Sequence, residues 1–132
     1  MTRGCEYMPV KKPPIAVVDD DPSVRDALTG LIRSFGFPVS GFDSAAAFLG
    51  DRGAASAQCL VLDVDMPGMT GLELQRRLAV TGRRTPIIFM TSSIDDKVHA
   101  RALNAGALAV LEKPCDQGVL LKHLKLALRI FP

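Results

Sequence analysis

The chain has 132 residues, 48% of them apolar, and 16 Lys and Arg stand against 14 Asp and Glu for a formal net charge of +2. That length suits one domain with a sizeable core and is too short for two. The near balance of charge argues against a basic nucleic-acid-binding surface, and Cys5, Cys59 and Cys115 are too widely spaced for a zinc site or a disulfide framework.

Residues 1–14 are polar and carry Pro9, Pro13 and Pro14, so a loosely ordered lead-in is expected, with the domain proper at 15–132. They lack the apolar stretch of a signal peptide, and no run in the chain reaches membrane-spanning length. A cytoplasmic protein with no membrane partner is the expectation. The first strand is expected at Ile15–Asp19, a short apolar run of the kind that parallel strands bury on both faces. Asp21 then reads as a helix cap with Pro22 at the first position, where a missing N–H costs nothing. Val24, Leu28, Leu31 and Phe35 recur at helical spacing up to Gly36. Gly30 interrupts this helix at a cost of about 1 kcal/mol relative to alanine, with no local reason for it.

A second strand is expected at Phe37–Phe42, a short helix capped by Asp43 or Ser44 through Leu49, and a loop over Gly50–Ala57. Strand three covers Gln58–Asp63, in which Cys59 reads as a small buried hydrophobe. Thr70-Gly71-Leu72-Glu73 matches a capping box and opens a helix to Val80. Pro86–Thr91 is the fourth strand, and a helix runs from Asp95 to Gly106. Ala107–Lys113 is the fifth strand, and Asp116 opens a last helix reaching Arg129. Leu120, Leu124, Ala127 and Phe131 form its core row; Leu121 and Leu128 beside it belong either to a broad core stripe or to a partner surface. Five βα repeats with right-handed crossovers predict an α/β fold, a five-stranded parallel sheet with helices on both faces.

Ligands bind beyond the carboxyl ends of such strands. Asp19 and Asp20, Asp63, Thr91 and Lys113 each follow an apolar run, so the sequence gathers three carboxylates, a hydroxyl and an ammonium at one sheet edge. Capping accounts for Asp21 but leaves Asp19 and Asp20 unexplained. Three crowded carboxylates raise one another's pKa unless a hard cation such as Mg²⁺ takes them as ligands. The turn-rich loop after Asp63 can offer a backbone carbonyl, that of Asp65, as a further ligand. The hydroxyl of Thr91, the amides of Ser92 and Ser93, and the ammonium of Lys113 suit phosphoryl oxygens.

The set Val18-Asp19-Asp20-Asp21, Leu62-Asp63-Val64-Asp65-Met66-Pro67-Gly68-Met69-Thr70-Gly71, Thr91-Ser92 and Glu112-Lys113-Pro114 resembles the receiver domain of two-component response regulators, over about Pro14 to Arg129. The resemblance implies a flavodoxin-like (βα)5 fold. It implies Asp63 as acceptor of a phosphoryl group from a histidine kinase or histidine phosphotransfer protein. Asp20, Asp63 and the Asp65 carbonyl would bind Mg²⁺ directly, Asp19 through water, while Thr91 and Lys113 hold phosphoryl oxygens; Lys113–Pro114 would be cis. The chain would then be a signalling domain, not an enzyme, acting on a downstream protein, without direct nucleic-acid binding. It would be either a single-domain regulator or a receiver from a longer protein.

Two positions depart from the family pattern. Receivers usually carry Tyr or Phe three residues before the lysine, where this chain has Val110, and an aromatic after Lys-Pro, where it has Cys115. Val110 points to switching that is weak or carried by the segment Ser92–Asp96, and Cys115 reads as gap filling. Asp65 and Ser93 flank the path of a hydrolytic water. His99 and His123 read as solvated surface residues. A homodimer through the last two helices and strand five is a further expectation. Two other functions compete: a degenerate receiver acting as a phosphorylation-independent scaffold, favoured by Val110, and a haloacid-dehalogenase-type phosphatase, mimicked by Asp63-Val64-Asp65 but with its acidic pair in the wrong order along the chain.

Overall fold

The computed structural model describes residues 12–93 and 95–129. Five strands, β1 (Ile15–Val18), β2 (Val39–Phe42), β3 (Cys59–Asp63), β4 (Ile87–Thr91) and β5 (Ala109–Glu112), form one parallel sheet in the order β2-β1-β3-β4-β5. Between them run α1 (Pro22–Ser34), α2 (Ala45–Gly50), α3 (Gly71–Val80) and α4 (Asp96–Asn104), and α5 (Gln117–Leu128) ends the described chain. The chain leaves β1 toward one edge of the sheet and returns to start β3 on its other side. The crevice at the carboxyl ends of β1 and β3 is therefore the topological switch point, where such sheets bind ligands.

The period-two alternation of the strands builds two cores. Ala16, Val18, Leu60, Leu62 and Phe89 pack toward Phe48 of α2, Leu74 and Leu78 of α3 and Ala102 of α4. Ile15, Val17, Val61, Ile88 and Met90 pack toward Leu28 and Ile32 of α1 and Leu120 and Leu124 of α5. Both faces of the sheet are covered, which is why its strands read as continuous apolar runs. Cys59 is fully buried in the second core, and burial pushes its thiol pKa up to about 12.

The helix caps are those expected. Asp21 accepts from the amides of Ser23 and Val24, and Thr70 and Glu73 exchange their two capping hydrogen bonds at 2.9 and 3.2 Å. Strand bounds otherwise fall within one residue of expectation, but β2 and β5 each start two residues late, for one shared reason. The amide of Phe37 donates to Ile32 and that of Ala107 to Ala102, so each closes the preceding helix instead of extending the sheet. Beside Phe37, Pro38 has no N–H to donate. The expected loop at Gly50–Ala57 contains a 3₁₀ turn, Gly53–Ser56. Leu121 and Leu128 are half-buried against the second core, so the broad core stripe is the correct reading of α5, and Phe131 lies outside the described residues. The expected lead-in also lies almost wholly outside them, and Lys12 places its ammonium 5.1 Å from the Phe37 ring centre. His99 and His123 are half-buried, and His123 Nδ1 sits 2.8 Å from the Val119 carbonyl.

Candidate metal and phosphoryl site

The strand register brings the acidic residues together. Val18 pairs with Leu62, so Asp19, one residue on, stands beside Asp63 at the end of β3. Oxygen atoms of Asp19, Asp20 and Asp63 lie within 4.8 Å of one another. Asp19 and Asp63 are buried and Asp20 is exposed, so the cluster opens to solvent on one side.

Each buried carboxylate is held from a different direction. Asp19 accepts from the amide of Asp21 at 2.9 Å, and Arg25 of α1 donates to the Asp19 carbonyl at 2.8 Å. Lys113 follows β5, where its amide donates to the Thr91 carbonyl at 2.8 Å and where the following peptide bond to Pro114 is cis. From there its ammonium donates to Asp19 Oδ2 at 2.7 Å and to Asp63 Oδ1 at 3.1 Å.

One ammonium does not neutralise three carboxylates. Loss of water around Asp63 raises its pKa to about 6; Lys113 opposes this shift, and the neighbouring Asp19 charge adds to it. Burial alone lowers the pKa of Lys113, but its hydrogen bonds to Asp19 and Asp63 outweigh that, and the net direction is upward. The lysine is thus firmly cationic and the cluster still carries excess negative charge. Clustered oxygen donors with uncompensated charge and one open side fit a hard divalent cation.

Thr91 lies at the end of β4 and is buried, with its hydroxyl turned to the following loop. It donates to the Ser93 carbonyl at 2.7 Å and accepts from the Ser93 amide at 3.3 Å. The arrangement thus joins Asp19, Asp20, Asp63 and Lys113 directly and places Thr91 on the adjoining strand end. Asp65 is exposed in the loop after Asp63. Val110 is half-buried in β5 and lines a cavity of about 40 Å³ together with Thr91, Val98 and His99.

Two contributors were not read from the sequence. Gly71 starts α3 where a Cβ would run into the backbone carbonyl of Asp63 and lie 3.0 Å from the Phe89 ring. Its amide donates to the Val64 carbonyl at 3.0 Å. In the sequence the glycine belongs to the capping box and closes the motif that begins at Leu62, and neither says what the helix start touches. Arg25 was hidden within an ordinary polar helix face, although Gly41 opposite it leaves room for the arginine stem, whose Cγ would lie 3.2 Å from a Cβ at that position.

Comparison with known proteins agrees with this geometry. The model of the response regulator receiver domain family matches residues 15–125. The chain is 42% identical over 129 residues to response regulator protein TmoT of Ectopseudomonas mendocina, covering 98% of this chain and 59% of that protein. It thus spans somewhat over half the length of that curated relative. Among solved structures, response regulator StyR is 44% identical with a TM-score of 0.81, over 90% of this chain and 60% of that one. The structure titled FixJ-N is 31% identical with a TM-score of 0.83, over 93% of this chain and 98% of that one. With the fold, the strand-end carboxylates and the family match in agreement, this chain belongs to the response regulator receiver domains of two-component systems.

Proposed function

We propose that Asp63 accepts a phosphoryl group from a phosphohistidine on a histidine kinase or histidine phosphotransfer protein, in a Mg²⁺-dependent reaction. The observation that carries this reading is the convergence of three carboxylates within 4.8 Å around an aspartate that shares a lysine ammonium with its neighbour. Asp20, Asp63 and the Asp65 carbonyl would hold the Mg²⁺, with Asp19 acting through water. Bound there, the ion supplies charge neutralisation for the phosphoryl oxygens and for the carboxylates themselves. Lys113 supplies a fixed positive charge beside the attacking oxygen of Asp63, and Thr91 a hydroxyl that takes up a phosphoryl oxygen once it leaves Ser93. Phosphoryl transfer depends chiefly on such positioning and electrostatics.

Beside Lys113 an apolar groove of about 470 Å³ is lined by Val24, Leu28 and Leu31 of α1 and by Pro114 and Cys115, which gives a phosphodonor protein a seat next to Asp63. In this reading the protein works in the cytoplasm as a signalling domain and passes its state to a downstream protein. Among the described residues no helix is long and apolar enough to cross a membrane. A homodimer would use the exposed Leu103 and Leu108, or Val119 and Leu126, since Leu121 and Leu128 are taken up by the core.

Incubation with acetyl phosphate and Mg²⁺ followed by intact mass spectrometry tests the reading. One phosphoryl adduct is expected, abolished by EDTA and by Asp63→Asn. Absence of an adduct with every donor would favour a scaffold, and turnover of many equivalents of a phosphate ester would favour a phosphatase. No relative described above supports either alternative.

A further inference from the structure

We propose that the groove between α3 and α4 docks an acidic, amphipathic segment of a partner protein. The groove has a volume of about 400 Å³ and is lined by Leu72, Gln75, Arg76 and Ala79 on the α3 side and by Arg101 and Ala105 on the α4 side. Small and aliphatic side chains thus alternate with one arginine from each helix. Both arginines are exposed. Among the described residues, no carboxylate lies within ion-pair distance of either, and the ion pairs there are those of Lys113.

The capping carboxylates of the two helices are committed elsewhere, and Asp96 lies in the first turn of α4, five residues before Arg101. Glu73, the one acid of α3, accepts from the Thr70 amide at its cap. Asp95 caps α4 by accepting from Lys97 and Val98. The helix macrodipole favours cations near a carboxyl-terminal turn, which accounts for Arg101 on α4 and for Arg77 on α3. It does not account for Arg76, nor for Arg76 and Arg101 sharing one groove with aliphatic neighbours.

Gln75 adds an independent mark. Its side chain is buried, 5% exposed, and donates to the Ala102 carbonyl at 3.0 Å, tying α3 to α4. Among the described residues its amide oxygen has no hydrogen-bond partner, although buried polar groups are normally satisfied. A segment seated in the groove can donate to it.

The pattern suits a helix or extended peptide with an aliphatic edge and carboxylates on either side, because Arg pairs bidentately with carboxylates. Leu72, Ala79 and Ala105 offer nothing to a polyanion, and the chain as a whole carries only +2, so a nucleic-acid backbone is the poorer fit. The groove continues past Ala79 and Ala105 into a second hollow of about 550 Å³ at the opposite end of the sheet from Asp63, with exposed Arg84 beside it. A segment longer than two helical turns can therefore extend in that direction.

The test uses the full chain and a synthetic eighteen-residue helical peptide with leucine on one face and glutamate on the others. Titration into isotope-labelled protein is followed by amide NMR. The expected result is shift changes centred on residues 72–80 and 101–106, with binding weakened at least about ten-fold in Arg76→Glu/Arg101→Glu. The lysine counterpart of the peptide should not bind. Arg76→Ala/Arg101→Ala should fall between wild type and the reversed variant, and both variants should retain phosphoryl acceptance at Asp63, which shows that they are folded. Failure of the acidic peptide to bind, shifts centred elsewhere, or charge reversal without effect would overturn the proposal. So would tighter binding of a short DNA duplex at the same residues, or self-association that Arg76→Glu abolishes.

Discussion

At the scale of single residues, Asp63 couples folding to pH through burial of its carboxyl. Its carboxyl titrates near 3.8 when exposed and at about 6 in the folded, metal-free protein. The folded state therefore binds this proton more tightly than the unfolded state does. Stability from this group is present at low pH and is lost as pH rises from about 4 to about 6, on the order of 3 kcal/mol. A divalent cation on the cluster removes the cost of the ionised form. Thermal melts should show a larger Mg²⁺-induced gain at pH 7 than at pH 4.5. An equal gain at both would mean that the ion acts elsewhere. The participants were legible in the sequence because each closes an apolar run. That one lysine is shared between Asp19 and Asp63 was not, because it depends on the direction of a long side chain and not on spacing.

The element scale shows which local rules decided the outcome. Caps at Asp21 and Thr70 were readable because a side-chain oxygen three residues from an open amide is a local matter. The starts of β2 and β5 were not, since the amides of Phe37 and Ala107 donate back to carbonyls of the preceding helices, a choice that an apolar run does not reveal. Gly30 of α1 remains a local defect, exposed, with open space where a Cβ would stand. Gly30→Ala should stabilise the domain by about 1 kcal/mol in chemical denaturation. A neutral or destabilising result would reveal a contact at that helix face. Gly71 is the opposite case, a helix glycine whose missing Cβ is required by the backbone of Asp63.

For the molecule as a whole, the two cores make the sheet its least accessible part. Cys59 sits in a central strand with no exposed surface, whereas Cys115 is half-buried beside the site. Burial and the nearby Asp116 both raise the Cys115 thiol pKa, so it should react slowly. Iodoacetamide followed by peptide mapping should label Cys115 in the native protein and Cys59 only on global unfolding. Native labelling of Cys59 would show the sheet opening locally. The architecture followed from the order of apolar runs and helical stripes, because each run could be buried in only a few ways. The basic groove did not, because Arg76 and Arg101 are 25 positions apart in the chain and meet only through the packing of α3 on α4.

Gly71 has a mechanical consequence. Because α3 begins against the carbonyl of Asp63, the helix is seated on that residue like a lever on a fulcrum. Its ten residues extend about 15 Å, from that seat past Arg76 to Val80, which stands 82% exposed at the far end. A small tilt imposed at Asp63 becomes a larger sweep at Val80. A lever of this kind would need no aromatic ring at position 110.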